Sequence, residues 1–372
     1  MNKDKLLIVG AFPPANKKIY GGIYKSCKVL LNSSLSENFN LITIDSSQSS
    51  NPVPNIFIRS FSACKRIVIL ISKLIFEKPK AALIFTSDGF SAIEKGVMCV
   101  ICSFFNCKAM IFPRAGNLII QTKNSRVIRF LIRFLFKKAT IFLCQGRKWK
   151  KFAINQIGFK SSNVITINNW TATKEHIRIG LNRSYDKNEG TKKLLFVGWL
   201  EEFKGVFDLL DASKSLIQQG YKFQLTFAGD GNAKAQVEEY IRNYNLSSYI
   251  KLEGWVDDIN LLRLLEKNDI FILPSWSEGL PNSMIEAMSA GLSVIVSDVG
   301  VISDFIKHDK NGLIVRPKDI DGLRDAISSL LVDNLAIKRT AINGHKFAVS
   351  HFSSEITIKR ILSVIEEIID KK

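Results

Sequence analysis

Histidine is scarce in this 372-residue chain, with four copies at positions 176, 308, 345 and 351. None lies in the first 170 residues, so that half supports neither a Ser-His-Asp relay nor a histidine-built metal centre. Long hydrophobic runs are missing too. VMCVICSFFNC (97–107) is among the longest uncharged apolar stretches and falls well short of the ~20 residues a spanning helix needs. The opening MNKDKLLIVGAFPP holds an apolar stretch too short for a signal peptide and reads as a first strand, so a cytoplasmic protein is expected. Its six cysteines (27, 64, 99, 102, 107 and 144) all fall in the first half. Cys99 and Cys102 form a C-x-x-C, but without basic neighbours or a matching second pair they read as buried structural residues. Disulfides are not expected in the cytosol. No G-x-G-x-x-G occurs, so a dinucleotide fingerprint is unsupported.

Acidic residues are also missing from one half. Residues 1–180 carry 28 Lys and Arg against 7 Asp and Glu, a net of +21, whereas the remainder carries 24 against 27, a net of −3. An excess confined to one half implies that this half faces something anionic, nucleic acid or an acidic membrane surface. What is plentiful is apolar side chain, 46% of the chain, which excludes a disordered polymer. The length predicts two domains, each with its own core. Short apolar runs alternate with helical stretches: 6–10, 39–43, 80–87, 108–112, 140–144 and 163–167, then 193–198, 223–229, 250–254, 269–274, 293–298 and 312–315. Such alternation predicts α/β architecture with parallel sheets, built twice. The first domain is expected over 1–168, a polar linker over 169–192, the second domain over 193–350, and a final helix over 353–372. Loops after the carboxyl ends of the strands are where ligands belong.

The most informative of those loops is SWSEGLPNSMIEAMSAG (275–291). The run 269–274 reads as a buried strand, and Pro281 suits the first turn of a following helix. Glu278 then sits at the strand's exit and Glu286 about one turn into the helix. Between them the amides near Leu280 to Ser283 form a positive helix end that suits an anion. Carboxylates accept from sugar hydroxyls while helix amides donate to phosphate, so the pair offers handles for a nucleotide-activated sugar. In FVGWLEEFKGVFDLL (196–210) a helix is expected from Phe203 or Lys204, with Lys204 a point charge for a diphosphate and Gly205 admitting close backbone approach. Gly21-Gly22 between the first strand and its helix fits a phosphate contact or a plain loop tip. Gly229-Asp230-Gly231 fits tight-turn geometry as well as ligand contact. Asp319 and Asp321 read as helix capping rather than a metal-binding D-x-D. Arg126, Arg129, Arg133 and Lys137 recur at three- and four-residue steps on a stripe flanked by Phe and Leu, which suits an anionic bilayer interface. RKWKKF (147–152) adds basic and aromatic residues nearby.

With the E-x7-E spacing, the Lys204-Gly205 turn and the twofold sheet pattern, the chain resembles the retaining, GT-B-type glycosyltransferases of family 4 (glycosyl transferases group 1). The resemblance is strong over roughly 191–331 and architectural over 1–170. It implies two Rossmann-like domains facing across a cleft, with the C-terminal helix crossing back onto the first. It also implies a nucleotide-diphosphate sugar as substrate, with no metal and no cofactor. Carried over by position, Glu278 contacts the donor sugar, Glu286 the ribose hydroxyls, backbone at Gly279, Leu280, Pro281 and Asn282 the distal phosphate, and Lys204 the diphosphate. Gly22 approaches the phosphates from the other domain. Two positions depart from the pattern. Trp199 stands where the family commonly has an arginine, and the loop 112–118 offers Arg114 and Asn117 where many members place a histidine. Arg114 could supply the missing charge. The expected protein is a hexosyltransferase-type enzyme, peripheral on the inner face of the membrane. It acts on a lipid-linked oligosaccharide or lipopolysaccharide-type acceptor in cell-surface polysaccharide or capsule biosynthesis. The rival expectations are a non-catalytic polyanion- or nucleic-acid-binding protein and a GT-B-type sugar-nucleotide epimerase.

Overall fold

The computed structural model describes residues 3–13, 21–47, 54–185 and 190–370. The chain divides into two compact units, residues 1–171 with 354–372, and residues 172–353.

In the first unit the apolar runs form six parallel strands: β1 (Lys5–Gly10), β2 (Asn40–Asp45), β3 (Ala81–Thr86), β4 (Lys108–Pro113), β5 (Ile141–Cys144) and β6 (Val164–Thr166), in the order β2-β1-β3-β4-β5-β6. β3 is buried along its whole length, as expected for a strand covered on both faces. Its helices are α1 (Gly22–Leu31), α2 (Ser34–Asn38), α3 (Ile56–Phe76), α4 (Phe90–Phe104), α5 (Asn117–Asn124), α6 (Arg126–Phe136) and α7 (Arg147–Lys151). Right-handed crossovers decide which face each helix covers. The β1-to-β2 step runs one way across the sheet. The steps to β3, β4 and β5 run the other way, which puts α3, α4 and α6 together on the opposite face. There α3 packs on α4, and α4 on α6.

The second unit repeats the plan with β7 (Lys192–Val197), β8 (Phe223–Ala228), β9 (Ile250–Gly254), β10 (Ile270–Leu273), β11 (Ser293–Ser297) and β12 (Leu313–Val315), ordered β12-β11-β10-β7-β8-β9 and parallel throughout. Its helices are α8 (Lys174–Leu181), α9 (Val206–Gln218), α10 (Lys234–Asn243), α11 (Asp258–Lys267), α12 (Asn282–Ser289), α13 (Ile302–Phe305), α14 (Ile320–Val332) and α15 (Asn334–Phe352). The stretch 169–192, expected as a linker, instead carries α8, which packs on α11, α12 and α15. It is only eight residues long, and polar anchoring through Arg183 and Tyr185 just beyond its end holds it in place.

The last helix, α16 (Ser354–Asp370), lies in the first unit. Its Ile358, Ile361, Ile365 and Ile368 are buried in one cluster with Leu6, Ile8, Leu83, Phe112 and Leu30. This face of the sheet is the one that α1 and α2 also cover. No helix among the described residues is long and apolar enough to cross a membrane.

Candidate active site

The carboxyl edge of the second sheet is built around three strand exits. After β7 the chain runs back beside β8, with Leu200 N–H donating to the Asp230 carbonyl at 3.0 Å. A short 3-10 turn over Glu202–Lys204 then precedes Gly205, at φ 70°, and the helix proper starts at Val206. The helix thus begins two to three residues later than the sequence predicts. The left-handed Gly205 also lies against the Pro274 carbonyl, where a Cβ would collide, so only glycine fits both demands. That contact, with the Trp276 N–H donating to the Phe203 carbonyl at 2.8 Å, sets the β7 loop beside the exit of β10.

Lys204 Nζ consequently donates to Glu278 Oε1 at 2.6 Å, across 74 residues of sequence. Both side chains are mostly withdrawn from solvent, 16% and 11% exposed. Ser275 Oγ donates to the same oxygen at 2.9 Å and fixes the carboxylate. Ser275 carries no sequence signal of its own beyond lying between the strand and Glu278. Pro281 is the N-cap of α12 rather than a residue of its first turn, and no side chain caps that end. The positive end of the helix dipole therefore lies at the first turn of α12. Gly300 lies on the carbonyls of Glu278 and Gly279, and the Val301 N–H donates to the Gly279 carbonyl at 3.2 Å, so the loop 278–281 is pinned. Glu286 is 2% exposed, a carboxylate held inside the unit on α12, and Leu280 and Pro281 are buried.

The far end of α12 is clamped by residues that sequence reasoning missed. The Arg183 guanidinium donates to the carbonyls of Ala290 (2.9 Å), Asn268 (2.7 Å) and Leu265, closing the ends of α12 and α11 together. Tyr185 Oη donates to the Gly291 carbonyl at 2.9 Å, and His345 Nδ1 lies 2.7 Å from the Ser289 carbonyl. Gly229 and Gly231 pack on the carbonyls of Gly198 and Leu200, so backbone approach alone requires those glycines. Asp319 caps α14 by accepting from the Gly322 N–H at 2.8 Å, and Asp321 pairs with Arg324 at 2.6 Å. Among the described residues no group of three or more His, Cys, Asp and Glu is placed to hold a metal ion.

In the first unit, Gly21 is the N-cap of α1 and Gly22 its first residue, again with no side-chain cap. Arg114 folds back into its own unit. Its Nη2 donates to Ser26 Oγ at 2.9 Å, and its guanidinium lies over the rings of Phe85, Phe112 and Trp170 at 5.9, 4.9 and 5.3 Å. Burial pulls its pKa down to about 10. These contacts hold the half-buried guanidinium against its own unit. Asn117 Nδ2 donates to Asp88 Oδ2 at 2.7 Å. On α6, Arg126 and Arg133 are exposed, as is Lys137 just beyond its end. Arg129 departs from the stripe: it donates to the carbonyls of Thr122 and Lys123, both at 2.9 Å, because the end of α5 attracts a cation. Cys99 and Cys102 are buried free thiols, as the sequence implies.

Residues 180–347 match the family model described as glycosyl transferases group 1. The matched segment is 168 of the 372 residues, under half of the chain. The matched segment holds Lys204, Glu278, α12 and the Arg183 clamp, and lies wholly within the second unit. The amylovoran biosynthesis glycosyltransferase AmsK of Erwinia amylovora is 28% identical over 182 residues, covering 47% of this chain and 45% of AmsK. The lipopolysaccharide core biosynthesis glycosyltransferase LpsE of Rhizobium meliloti is 25% identical, over 68% of this chain and 73% of LpsE. The names of these two relatives place them in polysaccharide and lipopolysaccharide core biosynthesis. The chain spans less than half the length of several curated relatives that it matches, 40% in one case and 39% in another. HepE of Anabaena, solved in complex with UDP-glucose, has a TM-score of 0.71 at 14% identity, covering 98% of this chain and 99% of that one. The likeness is one of fold, two Rossmann-like domains as in the GT-B class.

Proposed function

We propose that the chain is a retaining glycosyltransferase of family 4 that moves a hexose from a nucleotide-diphosphate sugar to a lipid-linked oligosaccharide or lipopolysaccharide-type acceptor. The observation that carries this reading is the Lys204–Glu278 pair beside the uncapped start of α12. A diphosphate laid on the first-turn amides, about Gly279 to Asn282, would draw Lys204 toward its oxygens and free Glu278 to accept from sugar hydroxyls. Glu286 would take the ribose hydroxyls. In the transfer the bond from the anomeric carbon to the diphosphate oxygen breaks and the acceptor oxygen bonds to the same face of that carbon. The acceptor proton passes to the departing phosphate. Positive charge preset at the leaving group is the main rate contribution expected of such a site.

The donor class draws support from the UDP-glucose bound by HepE, and the acceptor class from the names of AmsK and LpsE and from the basic first half. The reading needs no metal, since Lys204 and the helix amides meet the diphosphate charge, so transfer should run unchanged in excess EDTA. It also places the protein on the cytoplasmic face of an anionic membrane, reached through Arg126, Arg133 and Lys137 of the α6 region. Assay of Glu278→Ala and Glu286→Ala tests the site. The first should lose transfer by at least about 10²-fold, and the second should bind nucleotide sugar more weakly, both with unchanged folding. Wild-type transfer by both variants would end the assignment.

A further inference from the structure

Helix α3 is apolar on two opposite sides, and the sheet layer covers only one of them. Ala63, Leu70 and Leu74 are buried. Phe57, Phe61, Val68 and Ile75 are 82%, 75%, 67% and 45% exposed. At ~100° per residue these four fall within roughly 40° of each other and lie across the helix from the buried stripe. A helix that is apolar on both sides needs a second apolar phase. α6, two helices along the same layer, repeats the pattern: Ile132, Leu135 and Phe136 are buried, whereas Val127, Phe130 and Phe134 are 77%, 73% and 58% exposed.

Neither helix carries an acidic residue of its own. On α3, Arg66 is paired with Glu94 and Lys73 with Glu77 at the helix end, which leaves Arg59 and Lys65 as cations beside the stripe; on α6, with Arg129 turned to the end of α5, they are Arg126 and Arg133. We propose that α3 and α6 together form a face that docks onto an anionic phospholipid bilayer, with the phenylalanines in the headgroup region and the cations at the phosphates. This deepens the membrane-facing role proposed for α6 and rests on it. Charge complementarity selects this occupant. A second copy of the chain would bring the same cations to the contact, and a soluble polyanion offers no apolar phase for exposed phenylalanine. A bilayer surface supplies both anions and hydrocarbon. Both helices lie on the surface and neither spans it.

Cys64 makes the proposal testable, because it is the one exposed thiol of the six and sits on the outward side of α3. The full chain labelled there with an environment-sensitive fluorophore should show a blue shift with phosphatidylglycerol-containing vesicles and none with pure phosphatidylcholine. Phe57→Ser with Phe61→Ser should lower vesicle partition at least about tenfold while keeping the thermal midpoint. If the label stays wet and this variant still partitions, while Arg126→Ser with Arg133→Ser abolishes partition, the role of α3 is overturned and that of α6 stands. No partition by the wild type overturns both. If the α3 variant instead turns a dimer into a monomer with partition unchanged, the stripe is a contact between copies and the proposal fails.

Discussion

Lys204 occupies a middle position between two anions, one present in the apoprotein and one expected from the donor. Its bond to Glu278 at 2.6 Å keeps both side chains in the loop, and Ser275 holds the carboxylate from the other side. Lys204→Ala unpairs Glu278 and, on the proposed reading, also removes the charge opposite the leaving group. A drop in kcat of about 10²-fold or more is expected, larger than the loss in donor affinity. Lys204→Arg should recover little, since a planar fork cannot take the place of a point charge packed beside Phe203. Steady-state kinetics of the two variants checks this. The Glu278–Glu286 spacing was legible because the flanking Gly, Pro and apolar residues announce a strand, a loop and a helix. The Lys204–Glu278 bond was not, since it depends on Gly205 seating the β7 loop against Pro274. The packing of Arg114 was illegible for a related reason: three aromatic rings and Ser26 come to its guanidinium from distant parts of the sequence.

At the scale of elements, strands were legible and polar anchoring was not. Continuous apolar runs such as 81–86 and 270–273 name a doubly covered strand without help from elsewhere. α8 could not be read, since it is short and polar, and the Arg183 and Tyr185 side chains that fix it reach carbonyls more than eighty residues away. Arg183→Ala would strip three carbonyls of their donor, and a loss of about 2–3 kcal/mol in the stability of the second unit is expected in denaturant titration. α3 depends on a comparable clamp in the first unit. Arg66 Nε donates to Glu94 Oε1 at 2.6 Å, and Lys95 Nζ donates to the other oxygen at 2.7 Å. Burial pushes the Glu94 carboxyl up, yet the bonds to Arg66 and Lys95 outweigh it and hold the group below the usual carboxylate value of 4.5. A depressed carboxylate adds stability that is present above the ordinary value and lost as pH falls through the lowered one. Unfolding of the first unit should therefore become easier on acidification below about pH 4.5, and Glu94→Gln should flatten that dependence. Thermal midpoints of the two proteins across the acid range supply the check.

For the whole molecule, the two units are unequal in how the chain builds them. The second is continuous from 172 to 353, with both faces of its sheet covered by its own helices. The first is interrupted, and α16 brings back Ile358, Ile361, Ile365 and Ile368 from the far end of the sequence to the cluster around Leu6, Ile8 and Phe112. Burying one such side chain is worth about 1.5–3 kcal/mol. Four of them amount to roughly 6–12 kcal/mol, on the scale of a domain's entire stability. Truncation after Ser353 should thus leave the first unit unfolded while the second keeps a cooperative transition. The same cut should spare nucleotide recognition if the Lys204 and α12 site is sufficient for it, because both lie within 172–353. Calorimetry of the truncated chain with and without UDP checks both statements. One transition is expected to disappear, and the survivor is expected to shift upward with nucleotide, by RT ln(1 + [L]/Kd). A survivor indifferent to any nucleoside diphosphate would place the binding energy outside the second unit and count against the site.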